Sequence, residues 1–175
     1  MTGSLAARTN EAGIDQLTEA FTSAADFPLT VVTTTSESDG DSGCIVGFTT
    51  QCSIEPVRFL VCISKQNHTF DVVSRSKVLA LHLLGEDQVE LAELFGEETG
   101  DQIDKFKRCP THTGKTGAPL LDDCVAWIEG TIDDRHDVGD HVAMVVTATS
   151  GGKGNQSGLM MFQRSPEMTP GHPAD

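Results

Sequence analysis

Leu29-Thr30-Val31-Val32-Thr33-Thr34-Thr35 is followed by Ser36-Glu37-Ser38-Asp39-Gly40-Asp41-Ser42-Gly43 and then by Cys44-Ile45-Val46-Gly47-Phe48-Thr49-Thr50-Gln51. The first segment is β-branched almost throughout and reads as a strand. The second is turn chemistry from end to end. The third reads as the returning strand, interrupted by Gly47, a residue that in mid-strand marks the close approach of a ligand or of another backbone.

Working outward, Arg58–Ser64 and Val78–Leu84 give a third and a fourth strand, and Cys124–Asp133 and His141–Ser150 give two long ones joined by a turn over 137–140. Leu159–Phe162 supplies a last short strand. Between them, Ile14, Leu17 and Phe21 recur at helical spacing and predict a helix over 11–24. Short helices are expected at Phe70–Ser74 and Glu86–Phe95, and a helical turn presenting Phe106 at 101–107. Arg108–Leu121, with two Gly and two Pro, reads as a loop. Strands do not alternate with long crossover helices, so a doubly wound parallel sheet is excluded. The expectation is a mainly β (α+β) fold, a six- to seven-stranded antiparallel barrel carrying helical excursions. It divides into an N-terminal segment and helix (1–25), one domain (26–164) and a flexible tail (165–175).

The chain has 175 residues, enough for one core, with one Trp and no Tyr, so aliphatic side chains fill it. Its net charge of −14, from 26 acidic and 12 basic residues, excludes nucleic acid and anionic membrane as general partners. No apolar run approaches the roughly 20 residues of a membrane helix. Five cysteines, an odd number without a CxxC, point to free thiols in a reducing cytoplasm. Cys52 and Cys62 lie in or beside apolar strands and read as small hydrophobes.

There is no GxSxG, no P-loop and no GxGxxG after a strand. His136 and His141 are separated by a turn and do not share a helical metal-binding face, so no metal site is expected. Ser64-Lys65-Gln66-Asn67-His68-Thr69 sets hydroxyls, an amide and an ammonium between a strand end and a helix start, where unpaired N–H groups suit a phosphate; Asn67 or His68 capping the helix is the competing reading. Gly139-Asp140-His141 reads as a turn that places a histidine at a strand start, and Phe106 as an aromatic available for stacking or for the core.

These segments fall in the order of a known family. Val31-Val32-Thr33-Thr34, Gly43 and Ser53-Ile54-Glu55-Pro56-Val57 are followed by Val61-Cys62-Ile63-Ser64-Lys65 with Asn67 and Thr69. Then come Leu91-Ala92-Glu93-Leu94-Phe95, Asp104-Lys105-Phe106, Gly117-Ala118-Pro119-Leu120-Leu121, Gly139-Asp140-His141 and Leu159–Phe162. Over residues 26–164 the chain resembles the flavin reductase-like family with its FMN-binding, Greek-key split β-barrel. The resemblance implies a homodimer with FMN, or alternatively FAD, between subunits, NADH or NADPH as co-substrate, and a flavin-dependent monooxygenase as partner. It implies that Val46, Gly47, Phe48 and Thr49 line the isoalloxazine edge and that Gln51, Cys52 and Ser53 border the ribityl chain. Ser64, Lys65, Asn67 and Thr69 would hold the phosphate, and Phe106 would come from the rim or from the partner subunit. His141 would act at the flavin face where nicotinamide stacks, with Arg164 meeting the nicotinamide nucleotide. Gly47-Phe48 departs from the family's Ser-Ser or Ser-Asn. That departure motivates a second reading, a non-catalytic flavin-, deazaflavin- or haem-binding module, and a third is an interaction domain without cofactor.

Overall fold

Thr30–Ser36 (β1) turns back into Gly40–Val46 (β2) with Ser36 opposite Gly40 and Thr30 opposite Val46. The turn is shorter than the sequence reading of 36–43. The Ser36 hydroxyl donates to Asp39 Oδ2 at 2.7 Å and accepts from Asp39 N–H at 3.0 Å, which closes the reversal within three residues. Gly40, at φ 74°, supplies the left-handed backbone that leads out of it. The expected returning strand over 44–51 is two strands. β2 ends at Val46, and Thr49–Ser53 (β3) pairs instead with Arg58–Ser64 (β4).

The computed structural model describes residues 13–164 and Met168. The expected start of the first helix and, Met168 apart, the expected flexible tail lie outside the described residues. Further along the chain come His68–Arg75 (α2), after Ile14–Ala24 (α1), then Val78–Leu83 (β5) and Val89–Gly96 (α3). A 3₁₀ turn at Lys105–Lys107 is followed by the short strands Thr111–Thr113 (β6) and Pro119–Leu121 (β7), which form a hairpin inside the expected loop. Ala126–Asp137 (β8) and His141–Lys153 (β9) are the long pair. The expected last strand at 159–162 is absent. Met160 N–H bonds to Leu84 O and Phe162 N–H to Phe27 O, partners on different segments, so the stretch makes a single bridge, Pro28 to Met161, and a 3₁₀ turn at Phe162–Arg164.

Seven strands make one antiparallel sheet in the order β2-β1-β5-β8-β9-β4-β3. The step from β4 to β5 passes over two intervening strands, a Greek-key connection. The two edge strands, β2 and β3, are consecutive in the chain and do not pair with each other. The sheet therefore curls into a barrel split along a seam that Gly47-Phe48 crosses.

β1 is buried on both faces, which is why its sequence does not alternate. Val32 points into the barrel with Val46, Val61, Ile63, Leu79, Leu81, Met144 and Val146. Leu29 and Val31 point outward onto Leu84, Ala92, Phe95, Leu121 and Met160. Each such fully buried aliphatic side chain contributes about 1.5–3 kcal/mol. The threonines between them keep their hydroxyls bonded: Thr33 donates to Pro119 O and Thr34 to Val78 O. In α1 the expected apolar stripe is not buried at Phe21, which is 76% exposed. The helix is tied down by polar contacts instead, Gln163 Nε2 donating to the carbonyls of Ser23 and Ala25. No described helix is long and apolar enough to cross a membrane.

Candidate functional site

The end of β4 organises the site. Ser64 stands opposite His141 across the β4–β9 pair, and Thr49 stands opposite Val61 across β3–β4. Cys62 N–H donates to Phe48 O at 2.9 Å, and Lys65 N–H to Asp140 O at 3.0 Å. The seam residues, the polar bend and the Gly139-Asp140-His141 turn are thereby fixed to one strand end. Gly139, at φ 122°, makes the reversal into β9.

Phe48 and His141 meet edge to face, their ring centroids 5.4 Å apart. Phe48 is 62% exposed, so its ring forms a rim rather than part of the core. His141 Nδ1 lies 2.8 Å from Asp140 Oδ1, which fixes the ring orientation and holds the Asp140 carboxyl below its ordinary range. Beside them, a methyl group added at Gly47 would meet nothing within 4 Å. Among the described residues, the Thr49 hydroxyl is the one buried side-chain polar atom without a hydrogen-bond partner. Buried polar atoms are nearly always paired, so this unpaired hydroxyl on β3 stands out.

In the polar bend, Asn67 Oδ1 accepts from Thr69 N–H at 2.9 Å and caps α2. Thr69 is buried, and its hydroxyl accepts from Ser42 on β2 at 3.1 Å. Ser64 O accepts from Asn67 N–H at 3.1 Å, shaping the bend. Lys65 Nζ reaches both oxygens of Asp137, at 2.9 and 2.8 Å, and the Gly139 carbonyl at 2.5 Å. The Lys65 bond, then the Gly139 N–H, pull the Asp137 carboxyl down from its ordinary range.

Gln51, Cys52 and Ser53 run along the free edge of β3. The register slips between Gln51 and Ser53, leaving Cys52 outside the pairing and exposed. The expectation of a buried, hydrophobe-like Cys52 is corrected by this bulge. Phe106 is not with Phe48 and His141. It packs edge-on to Phe95 at 5.8 Å in the second cluster and lines a cleft of 660 Å³ together with Gly43, His68 and Asp101. Arg164 closes the last 3₁₀ turn, and its side chain lies outside the described residues.

Sequence reasoning missed Asp137, which holds Lys65, and read Asp140 only as part of the turn, not as the carboxylate that holds His141. Their signal was two acids flanking a glycine turn that faces a cationic bend. It also missed a smaller apolar pocket of 250 Å³, where Thr49, Gln51 and Phe59 face Leu83 and Trp127 across the barrel mouth.

Known proteins resemble this chain in sequence and in fold. A ferric-chelate reductase (NAD(P)H) from Archaeoglobus fulgidus is 35% identical over 114 residues, 63% of this chain and 68% of that protein. The flavin-dependent monooxygenase reductase subunit HsaB from Rhodococcus jostii is 30% identical over 117 residues, 65% of this chain and 56% of that protein. The chain spans about half the length of the curated relatives it matches, 42% in the case of a probable flavin reductase from Rhizobium meliloti. Among solved structures, the NADH:FAD oxidoreductase SgcE6 of Streptomyces globisporus superposes with a TM-score of 0.77 at 23% identity, over 87% of this chain and 89% of that one, and shares the fold. The model of the flavin reductase like domain matches residues 23–168, and the chain belongs to that family.

Proposed function

We propose that this protein is an NAD(P)H-dependent flavin reductase that binds FMN, or FAD, at the Gly47-Phe48 seam between two copies of the chain. The observation that carries the reading is the crossing between two edge strands that lack a partner on one side, where Gly47 leaves open space and Thr49, two residues on, carries an unpaired hydroxyl. A flavin's polar ring edge needs N–H donors and acceptors at close range, and free strand edges offer both.

Backbone groups of Val46, Gly47, Phe48 and Thr49 hold the ring edge, and Gln51, Cys52 and Ser53 border the chain that leads to the phosphate. Ser64, Lys65, Asn67 and Thr69 form the phosphate end. Asn67 and Thr69 act there chiefly by shaping the bend, since their side chains already cap α2 and bond Ser42. Bound flavin supplies the two-electron chemistry, accepting hydride from reduced nicotinamide. His141, oriented by Asp140, positions the nicotinamide ring, and Arg164 meets the rest of the nucleotide. Phe48 excludes water from the ring face. Phe48, Ile54 and Val57 are exposed apolar side chains on the β2–β3–β4 edge, which supports a second copy as their cover. Relatives named as reductase subunits support a flavin-dependent monooxygenase as the acceptor of reduced flavin. Free thiols and an acidic chain fit the cytoplasm.

The second reading is a flavin-binding module without turnover. The contact of Phe48 with His141 favours it, because that ring borders the place where nicotinamide must stack. Anaerobic addition of NADH or NADPH to the FMN-loaded protein separates the two. Bleaching of the flavin band far faster than for free FMN is expected. A bound flavin that neither nucleotide bleaches would leave only the module.

A further inference from the structure

The cationic side chain at the phosphate end of the proposed site, Lys65, is already engaged by the protein itself. An ammonium has three N–H donors. Those of Lys65 are directed at the two Asp137 oxygens and at the Gly139 carbonyl. The other cation-forming side chain of the bend, His68, is likewise paired, its Nδ1 lying 2.8 Å from Asp101 Oδ1. The Asn67 side-chain oxygen is occupied in capping, and Thr69 is buried against Ser42. With a net charge of −14, the chain has little cationic charge to spare for an incoming anion.

We propose that Asp137 is a built-in competitor for the phosphate of FMN. The inference rests on the reading of Lys65 as a phosphate ligand. For Lys65 to bond phosphate oxygens it must first leave Asp137. Only the fraction of molecules with the pair open binds at full strength, and the apparent dissociation constant rises by the inverse of that fraction. The consequence is functional. A reductase that hands its product to another enzyme must release flavin, and a carboxylate that recaptures Lys65 speeds that release. The competition thus shifts FMN toward exchange by the same few-fold factor by which it weakens binding.

The competition acts on charge, so it acts only on a phosphorylated ligand. Riboflavin, which has the same ring and no phosphate, is blind to it. The pair is open to solvent, the Lys65 and Asp137 side chains being 36% and 72% exposed. Exposed pairs of this kind shift an equilibrium by up to about five-fold. Asp137 also accepts the Gly139 N–H at 3.1 Å, a bond that the amide oxygen of an asparagine keeps.

The test measures dissociation constants for FMN and for riboflavin by flavin fluorescence, in the wild-type protein, Asp137→Asn, Lys65→Gln and the double variant. Asp137→Asn is expected to tighten FMN about two- to five-fold and to leave riboflavin unchanged. Lys65→Gln weakens FMN alone, and Asp137→Asn adds nothing in its background. If Lys65→Gln weakens FMN selectively while Asp137→Asn leaves FMN binding the same or weaker, the competition is overturned and the phosphate site stands. If Lys65→Gln changes FMN and riboflavin alike, or neither, Lys65 is no phosphate ligand and both readings fall.

Discussion

Lowering the pH from 7 to 5 should destabilise this protein through a single buried residue, His82. Its side chain is fully buried in β5. Leu121 N–H donates to Nε2 at 3.2 Å, so that nitrogen carries no proton, and the ring proton sits on Nδ1, 3.3 Å from the Val31 carbonyl. Protonation would set an N–H against the Leu121 N–H and bury a charge. Desolvation, only partly offset by the Val31 bond, accordingly lowers the His82 pKa to about 4. A histidine held neutral in the folded state contributes stability above its unfolded pKa, near 6.5, and loses it as the pH falls toward the folded value, because the unfolded chain then binds the extra proton. With these two values the loss between pH 7 and pH 5 is about 2 kcal/mol, and the full loss below pH 4 is about 3 kcal/mol. For a chain of this size, 2 kcal/mol corresponds to a fall of about 4–8 °C in Tm. Urea unfolding of wild type and His82→Gln at pH 7, 6 and 5 isolates the contribution, since all other groups cancel in the difference. The two stability curves should diverge by about 2 kcal/mol, the wild type falling faster. Parallel curves, or an NMR titration placing the His82 midpoint above 6, would refute the assignment of a neutral, doubly bonded ring.

Two further substitutions read other parts of the molecule. The Thr49 hydroxyl has no partner in the free chain, so Thr49→Val should leave the flavin-free protein equally stable or up to about 2 kcal/mol more stable. The same change should weaken FMN binding several-fold, measured by thermal melting and by fluorescence titration. A loss of stability in the flavin-free protein would show that the hydroxyl is bonded after all. The buried Glu129 carboxylate accepts from Lys115 N–H, Thr116 N–H and the Thr116 hydroxyl, which together outweigh the burial that would raise its pKa. Glu129→Ala strands those donors in the loop before β7 and should cost about 2–4 kcal/mol in urea unfolding; a cost below about 0.5 kcal/mol would mean that the loop holds itself.

Much of the architecture could be read from the residues. The β-branched run at 29–35, the turn acids and the long strands after Cys124 and His141 carry local propensities that the tertiary structure does not override. Errors came where long-range pairing decides. Nothing local in Cys44–Gln51 announces that the chain changes sheet edge at Gly47-Phe48; only the pairing of Thr49 with Val61 reveals it. The last strand failed for the same reason, its backbone bonds going to Leu84 and Phe27 on separate segments. Of the site, the glycine turn, the histidine and the polar bend were visible as residue types in turn positions. Asp137 was not, because a charge 72 residues away is invisible as a partner of Lys65 until the β8–β9 turn folds over the end of β4. Phe106, for which the residue chemistry left stacking and core both open, packs within its own chain on Phe95.

The location of the site follows from what an open barrel leaves unfinished. A sheet that curls without closing has two edges whose N–H and C=O groups lack strand partners. Here both edges belong to consecutive strands, β2 and β3, so the unfinished backbone is concentrated at one crossing. The crossing residue Gly47 has no side chain to cover it, its neighbour Phe48 leaves most of its ring in solvent, and Thr49 leaves a buried hydroxyl unbonded. An unpaired buried hydroxyl costs about 1–3 kcal/mol and an exposed phenyl forgoes a comparable gain from burial. A domain of marginal stability tolerates several such defects in one place when another molecule relieves them together. A flat ring with a hydrogen-bonding edge and two apolar faces relieves the hydroxyl, the bare backbone and the aromatic rim at once, whereas a second copy of the chain alone covers only Phe48 and its apolar neighbours. On the proposed reading the seam takes both occupants, and binding of flavin and pairing of subunits should then prove thermodynamically linked.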